Sequence, residues 1–233
     1  MNFKKGLIII PARGGSKGIK NKNIVNICGK PLIYYTINPT LKTKEGGLLY
    51  AVIVSTDSQK IADISKKLGA DVPFLRPKNI SGDKSKSIDF MLHAINYFEN
   101  KGIHYDYIVL LQPTSPLRIH EDIEEAIDLF LKNKNDSLIS VCREERVDET
   151  ELYYKKSNKG FPLSPNHNKG KRKQDLKELF VRNAAIYITS TKYIKKEHKI
   201  ISDNPLLFEM PIERSLDIDT KDDLKKLRGF LCK

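Results

Sequence analysis

Short apolar runs alternate with amphipathic segments through the first 143 residues of the chain. Runs of Ile, Leu and Val bounded by Pro, Gly or polar residues are typical of strands that are covered on both faces of a sheet. They predict strands over residues 7–10, 50–55, 72–75, 107–111 and 138–142. The segments between them have apolar residues at helical spacing and predict helices over 31–41, 59–68, 87–99 and 122–131. Such alternation predicts an α/β fold with a doubly wound, mainly parallel sheet.

The pattern changes after residue 143. Residues 143–180 are polar, rich in Lys and Asn, and predict a hairpin-like arm inserted into a single domain of residues 1–233. The apolar residues of the arm need a partner surface, which favours a homodimer; the alternative is a partly disordered insert. Strands are predicted again over 184–189 and 206–210, followed by a last helix from Lys221 that Thr220 and Asp223 cap.

The loop after the first predicted strand combines glycines with cations. The apolar run ends at Pro11, and the sequence ARGGSKGIKNKN follows. Ligands bind outside the carboxyl ends of strands in open α/β sheets, where backbone N–H groups and basic side chains favour polyphosphates. The spacing fits neither a Walker A loop nor the dinucleotide fingerprint. We expect a polyphosphate site of another kind; the alternative is a solvated, lysine-rich turn.

Two further segments carry polar groups that suit substrate chemistry. Gln112 follows a buried strand and suits a sugar or a base, whereas Arg118 in the same segment is expected to be a surface charge or a structural pairing residue. Asp217 and Asp219 stand two residues apart, so in a strand both carboxylates face one side. Carboxylates suit Mg²⁺, and the alternative is that the pair caps the last helix. Asp57 is expected to serve a turn or a helix cap.

Composition narrows the class of protein only slightly. The net charge is +12, but the lysines are scattered and no basic block is interleaved with aromatic residues, which argues against nucleic-acid binding. Three cysteines, Cys28, Cys142 and Cys232, form no C-x-x-C, so neither a disulfide framework nor a zinc site is expected and a reducing cytoplasm is the default. The first apolar run is too short for a signal peptide or a spanning helix, so no membrane association is expected.

A cationic loop, a carboxylate pair and polar groups for a second substrate together describe nucleotidyl transfer to a hydroxyl group. This chemistry depends on positioning and charge neutralisation. No residue stands out as a general base. At this point the motifs IIPARGGSKGIKNKN, LLQPTSPLR, RKQDL…RNAAIYI and LDIDT, in this order between residues 8 and 220, resemble the acylneuraminate cytidylyltransferases, or CMP-sialic acid synthetases.

The resemblance implies a Rossmann-like nucleotidyltransferase fold, CTP and Mg²⁺, and a dimerisation role for the arm. It implies that CTP is bound by Ala12, Arg13, Gly14, Ser16, Lys17, Lys22, Asn23, Ser81, Gly82 and Asp83. It places the sugar acid near Gln112, Pro113, Thr114, Ser115, Lys173, Gln174 and Asn183. The expected catalytic residues are Arg13, Lys17, Lys22, Asp217 and Asp219, with the two aspartates as the metal ligands and Lys20 in solvent.

The chain departs from the family pattern in two places. Ala184 stands where the family has glycine, and Lys177 stands where it tends to have proline; both lie on the sugar side. The acid expected from the resemblance is an N-acylneuraminate. Legionaminic acid, pseudaminic acid and 3-deoxy-manno-octulosonate are the alternatives, and a non-catalytic nucleotide-binding module is the alternative of a different class.

Overall fold

The computed structural model describes residues 4–16, 18–43, 50–145, 148–169 and 178–232. Within them, the strands are β1 Gly6–Pro11, β2 Asn26–Ile27, β3 Lys30–Pro31, β4 Tyr50–Ser55, β5 Tyr107–Leu111, β6 Ser137–Glu144, β7 Tyr153–Lys156, β8 Lys159–Pro162, β9 Leu179–Ser190 and β10 Leu206–Glu209. The helices are α1 Tyr34–Lys42, α2 Gln59–Lys67, α3 Ser87–Glu99, α4 His120–Lys132, α5 Thr191–Glu197 and α6 Lys221–Leu231.

The central sheet has six strands in the order β10-β6-β9-β5-β1-β4. All neighbouring pairs are parallel except the two made by β9, which runs antiparallel to both β5 and β6. Alternate side chains of β1 enter different cores: Ile8 and Ile10 pack with residues of α1, α2 and α4, while Leu7 and Ile9 pack with residues of α3 and α5. Helices therefore cover both faces, and the predicted doubly wound, mainly parallel sheet is confirmed.

The structure corrects three of the predicted elements. Residues 72–75 form only isolated bridges at their flanks, Asp71 with Ile53 and Leu75 with Thr56, instead of a strand. The helix predicted from Pro31 begins at Tyr34, because Asn26 to Pro31 form the β2–β3 hairpin. The strand predicted over 184–189 extends from Leu179 to Ser190 and leads directly into α5, a helix that the periodicity did not predict.

The predicted arm contains a β-hairpin, β7–β8, whose register pairs Tyr153 with Pro162. Its apolar side chains are exposed, with Leu163 62% and Tyr154 54% accessible. Of the predicted arm, residues 146, 147 and 170–177 lie outside the described residues.

A small third core connects the opening loop to the C-terminal segment. It consists of Ile19, Ile27, Leu32, Ile218, Leu224 and Leu227, all buried. Cys28, at the tip of the β2–β3 hairpin, forms a disulfide with Cys232 after α6, and their Cα atoms lie 5.4 Å apart. The sequence did not predict this disulfide, because folding joins positions 204 residues apart. This core fixes the loop after β1 against the segment that contains the carboxylate pair.

Within the described part of the chain, no helix has the length and apolar character needed to cross a bilayer.

Candidate active site

A cavity of about 410 Å³ lies at the edge of the sheet where β1, β4 and β5 have their carboxyl ends. The predicted site residues that line it come from four separate segments: Arg13, Ser16, Lys22, Asn23, Gly82, Asp83, Gln112, Pro113, Thr114, Asp217 and Asp219. The fold thus brings the opening loop, the Gly82 loop, the segment after β5 and the carboxylate pair to one cavity.

Internal hydrogen bonds fix the cationic loop. The Ala12 N–H donates to the Ser55 carbonyl (2.9 Å), and the Gly14 N–H donates to Asp57 Oδ1 (2.8 Å). Asn23 Nδ2 donates to the Arg13 carbonyl (3.0 Å). Ala12 is fully buried, and neither Ala12 nor Gly14 lines the cavity, so their contribution is to set the path of the loop. Asp57 stabilises this turn.

Arg13 and Lys22 are the two described cations of the loop that line the cavity, and each already contacts a carboxylate. Arg13 Nη1 lies 2.8 Å from Asp83 Oδ1, which joins the opening loop to the Gly82 loop. Lys22 Nζ donates to the Ile218 carbonyl at 2.7 Å and to Asp219 Oδ1 at 3.1 Å. The Lys22 side chain is only 16% accessible, so its ammonium group is held between the loop and the carboxylate segment.

The loop also approaches the carboxylate segment through its backbone at Gly18. A Cβ atom at Gly18 would lie 2.9 Å from the carbonyl oxygen of Asp219. Gly18→Ala is therefore expected to separate the two segments, with a loss of about 1–3 kcal/mol in stability and a drop in activity. Gly15→Ala is the matched control, because its Cβ would have nothing within 4 Å. Thermal unfolding of both variants checks this, and equal melting temperatures would contradict it.

The carboxylate segment is not part of a regular strand. The Ile218 N–H donates to the Thr114 carbonyl (2.8 Å), and the Ile218 side chain is fully buried in the third core. Asp217 and Asp219 therefore both face the cavity, as the alternation predicted. The helix-capping alternative does not describe the pair, since Thr220 and Asp223 cap α6.

Asp217 is in an environment that disfavours its charge. Burial raises the pKa of its carboxyl group, and the nearby Asp219 raises it further, while hydrogen bonding from Thr114 and the Lys22 charge oppose the shift. Asp217 Oδ1 is buried and has no hydrogen-bond partner. A buried carboxylate oxygen without a partner, beside a second carboxylate, is a donor set that a hard divalent cation fits. Among the described residues, no group of three or more His, Cys, Asp or Glu side chains has metal-binding geometry.

The residues predicted on the sugar side divide into two sets. Gln112, Pro113 and Thr114 line the cavity, but Ser115 and Asn183 are buried behind its wall. The Asn183 side chain forms hydrogen bonds with Ser140 and Ser215 inside the protein. These two residues therefore pack behind the cavity wall and do not form its surface. Lys17, Lys173 and Gln174 lie outside the described residues.

The sequence did not point to Arg76, which closes one end of the cavity. Its side chain is 6% accessible, its Nε donates to Ser55 Oγ (3.1 Å), and the guanidinium group lies 4.5 Å from the Phe90 ring centroid. Burial lowers the pKa of Arg76 to about 10. Ser85 and Ser87, before and at the start of α3, also line the cavity. Ser81 is buried, and its hydroxyl donates to the Pro77 carbonyl (2.8 Å).

Arg118 was expected to be either a surface charge or a structural pairing residue, and it is not a surface charge. It is 2% accessible, and its Nη1 donates to the Ala185 carbonyl at 2.6 Å. Burial lowers the pKa of Arg118 to about 9 despite the nearby Asp122. The residue therefore has the structural pairing role, behind the cavity wall, that was the other expectation.

This sheet, with a cationic loop and paired carboxylates at its carboxyl edge, defines a nucleotidyltransferase. A family model described as "Cytidylyltransferase" matches residues 7–230. The chain belongs to this cytidylyltransferase family, and the resemblance carried by the motifs is confirmed.

Individual proteins show the same relationship. The chain is 33% identical to the pseudaminic acid cytidylyltransferase of Campylobacter jejuni over 95% of this chain and 94% of the relative. It is 33% identical to the N-acylneuraminate cytidylyltransferase of Streptococcus agalactiae over 97% of this chain, but it spans only 53% of that longer protein. A solved CMP:2-keto-3-deoxy-manno-octonic acid synthetase superposes with a TM-score of 0.70 at 18% identity, over 98% of this chain and 99% of that one, which supports the fold.

Proposed function

We propose that this cytidylyltransferase activates a nine-carbon nonulosonic acid, with CTP as the nucleotide donor. In the reaction, the anomeric hydroxyl oxygen of the acid bonds to the α-phosphorus of CTP and the bond between this phosphorus and the bridging oxygen breaks. Pyrophosphate leaves, the hydroxyl proton is released, and the product is the CMP-sugar. The observation that carries the proposal is the convergence of Arg13, Lys22, Asp217 and Asp219 in one cavity.

The order of the strands suggests how the two substrates divide the cavity. Arg76 is hydrogen-bonded to Ser55 at the end of β4 and lies over the Phe90 ring, the opening loop follows β1, and Gln112 follows β5, the next strand along the sheet. An aromatic ring beside a buried guanidinium group suits a planar base. We therefore assign the cytidine to the Arg76 end, the phosphates to the opening loop and the acid to the Gln112 end.

The phosphate region needs positive charge, because negative charge accumulates on the leaving pyrophosphate. Arg13 and Lys22 supply two cations within the cavity, and both already bind carboxylates there, so a phosphate oxygen has to compete with Asp83 or Asp219 for them. Asp217 and Asp219 would hold Mg²⁺. When bound, this ion would neutralise phosphate charge.

Sequence similarity to relatives supports a class of acids and not one member of it. Relatives named for pseudaminic acid and for N-acylneuraminate are equally similar in sequence to this chain. The class of nine-carbon acids is therefore the proposal, and N-acylneuraminate, pseudaminate and legionaminate are its members to be tested.

The exposed hairpin supports the further proposal that the protein is a homodimer. Leu152, Tyr153, Tyr154 and Leu163 present apolar surface to solvent in the single chain. Burying such a patch against a second copy is favourable. Sedimentation of the protein, with Tyr154→Ser as the variant expected to dissociate it, checks this.

Pyrophosphate release tests the reaction directly. The purified protein with Mg²⁺ and CTP is expected to release pyrophosphate with at least one of N-acetylneuraminate, pseudaminate and legionaminate. Release with the eight-carbon 3-deoxy-manno-octulosonate alone would contradict the proposal of a nine-carbon acid. Replacement of CTP by ATP, GTP or UTP is the control and should abolish release. Silence with all four acids, while calorimetry shows CTP binding, would contradict the proposal and favour a non-catalytic nucleotide-binding module.

A further inference from the structure

Ala184 lines the cavity in a backbone conformation that is unfavourable for alanine. Its φ is +58°, in the left-handed region that glycine and, among other residues, asparagine adopt most readily. Such a conformation persists only where the surrounding structure enforces it, and functional sites are where it concentrates.

An irregularity in the pairing of β6 with β9 produces this conformation. Ile139 pairs with Tyr187 and Val141 pairs with Arg182, so residues 183–186 of β9 stand opposite the single residue Ser140. Ser140 satisfies both ends of the bulge: its hydroxyl donates to Asn183 Oδ1 at 2.6 Å and accepts from the Ile186 N–H at 2.7 Å. Bulges of this kind redirect side chains beside active sites.

Buried polar groups fix the residues on each side of Ala184. Arg118 Nη1 donates to the Ala185 carbonyl at 2.6 Å, and Ser115 Oγ donates to the Asn183 carbonyl at 3.3 Å. Asn183 Nδ2 donates to Ser215 Oγ at 2.9 Å. Ser115, Arg118 and Asn183 are each less than 5% accessible. The bulge therefore holds Ala184 in one place, and residue 184 has little freedom to withdraw from the cavity.

Ala184 belongs to the acid end of the cavity. In the sheet, β9 lies next to β5 and two strands away from β1, and Leu111 pairs with Ile186. Residue 184 therefore stands just beyond the carboxyl end of β5, beside Gln112, and on the opposite side of the opening loop from Arg76.

We propose that Ala184 is a specificity-determining residue for the acid, because the bulge presents its methyl group to the acid end of the cavity. The inference rests on the proposed function. The size of residue 184 then limits which substituents of the acid fit, and it leaves CTP binding unaffected.

Two variants that keep the left-handed backbone test this in full-length protein. Ala184→Gly removes the methyl group, and Ala184→Asn adds bulk. Loss or gain of a methyl-sized group in a pocket changes selectivity by about tenfold or more. We expect Ala184→Gly to change the kcat/KM ratios among the four acids by that factor, and Ala184→Asn to lower kcat/KM for every acid used. The KM for CTP should stay within about twofold in both.

His198→Gly is the matched control. His198 has a φ of +51° at the end of α5, is exposed and does not line the cavity, so this variant makes the same backbone change elsewhere. Its acid ratios should equal those of the wild-type protein. An active wild-type enzyme whose acid ratios do not respond to Ala184→Gly or Ala184→Asn would overturn this inference alone. A wild-type protein inactive with all acids would overturn it together with the proposed function.

Discussion

Asp217→Asn is expected to lower pyrophosphate release by about 10³-fold or more, equivalent to about 4 kcal/mol of transition-state stabilisation, while the metal-free protein becomes more stable. Asp217 Oδ1 is buried without a partner, and burial raises the pKa of the carboxyl group. Keeping this group ionised at neutral pH therefore opposes folding. Asparagine has nearly the same shape and removes the charge, so we expect the melting temperature to rise by about 2 °C or more.

The gain in stability from Asp217→Asn is expected to depend on pH. Because the fold raises the pKa of Asp217, the destabilisation appears as the pH rises through the folded pKa and is absent below the ordinary value of 3.8. The advantage of Asp217→Asn should therefore be largest at neutral pH and should shrink towards pH 4. Melting curves of both proteins across this range, without and with Mg²⁺, measure it.

Magnesium separates the two roles of this carboxylate. We expect added Mg²⁺ to raise the melting temperature of the wild-type protein and to leave that of Asp217→Asn unchanged. Asp222→Asn is the control, since Asp222 is exposed in the first turn of α6 and pairs only with Lys225 among the described residues. If Asp217→Asn kept full activity, the carboxylate pair would have no role in the reaction.

The elements predicted best from the sequence are those that are apolar and buried along most of their length. β4 and β5 are buried on both faces, so a run of apolar residues specifies each of them to its last residue. The bounds of α3 also agree with the prediction.

Where the prediction failed, a backbone constraint prevailed over the apolar pattern. Residues 72–75 are apolar enough for a strand, but Pro73 lacks the N–H group that a ladder needs. Near Pro31, Cys28 and Gly29 adopt positive φ angles and turn the chain into the β2–β3 hairpin before α1 can begin.

The site was predictable where it follows from topology. The carboxyl ends of parallel strands lie at one edge, so the Arg13 loop and Gln112 had to meet. Arg76, the burial of Arg118 and the Cys28–Cys232 disulfide depend on contacts between residues distant in the sequence. No local pattern distinguishes these residues from the other arginines and cysteines of the chain.

Lys22→Met is expected to lower kcat/KM by about 10²–10³-fold, the loss typical of removing one preorganised donor from developing charge. The Lys22 ammonium group donates hydrogen bonds to the Ile218 carbonyl and to the Asp219 carboxylate. It therefore connects the opening loop to the opposite segment. Methionine has a similar length and apolar stem, so the variant removes the charge with little change in packing. The KM for CTP should rise, because the phosphates lose a cation.

Lys20→Met distinguishes this specific role from a general effect of net charge. Lys20 belongs to the same loop, but it is exposed and does not line the cavity. Both variants lower the net charge of the protein by the same amount, so a long-range attraction of CTP would weaken equally in the two and would respond to salt. We expect Lys20→Met to keep nearly full activity at every salt concentration. Equal losses in Lys20→Met and Lys22→Met would show that the loop acts only as a diffuse positive surface, and the held position of the Lys22 ammonium group would then have no part in catalysis.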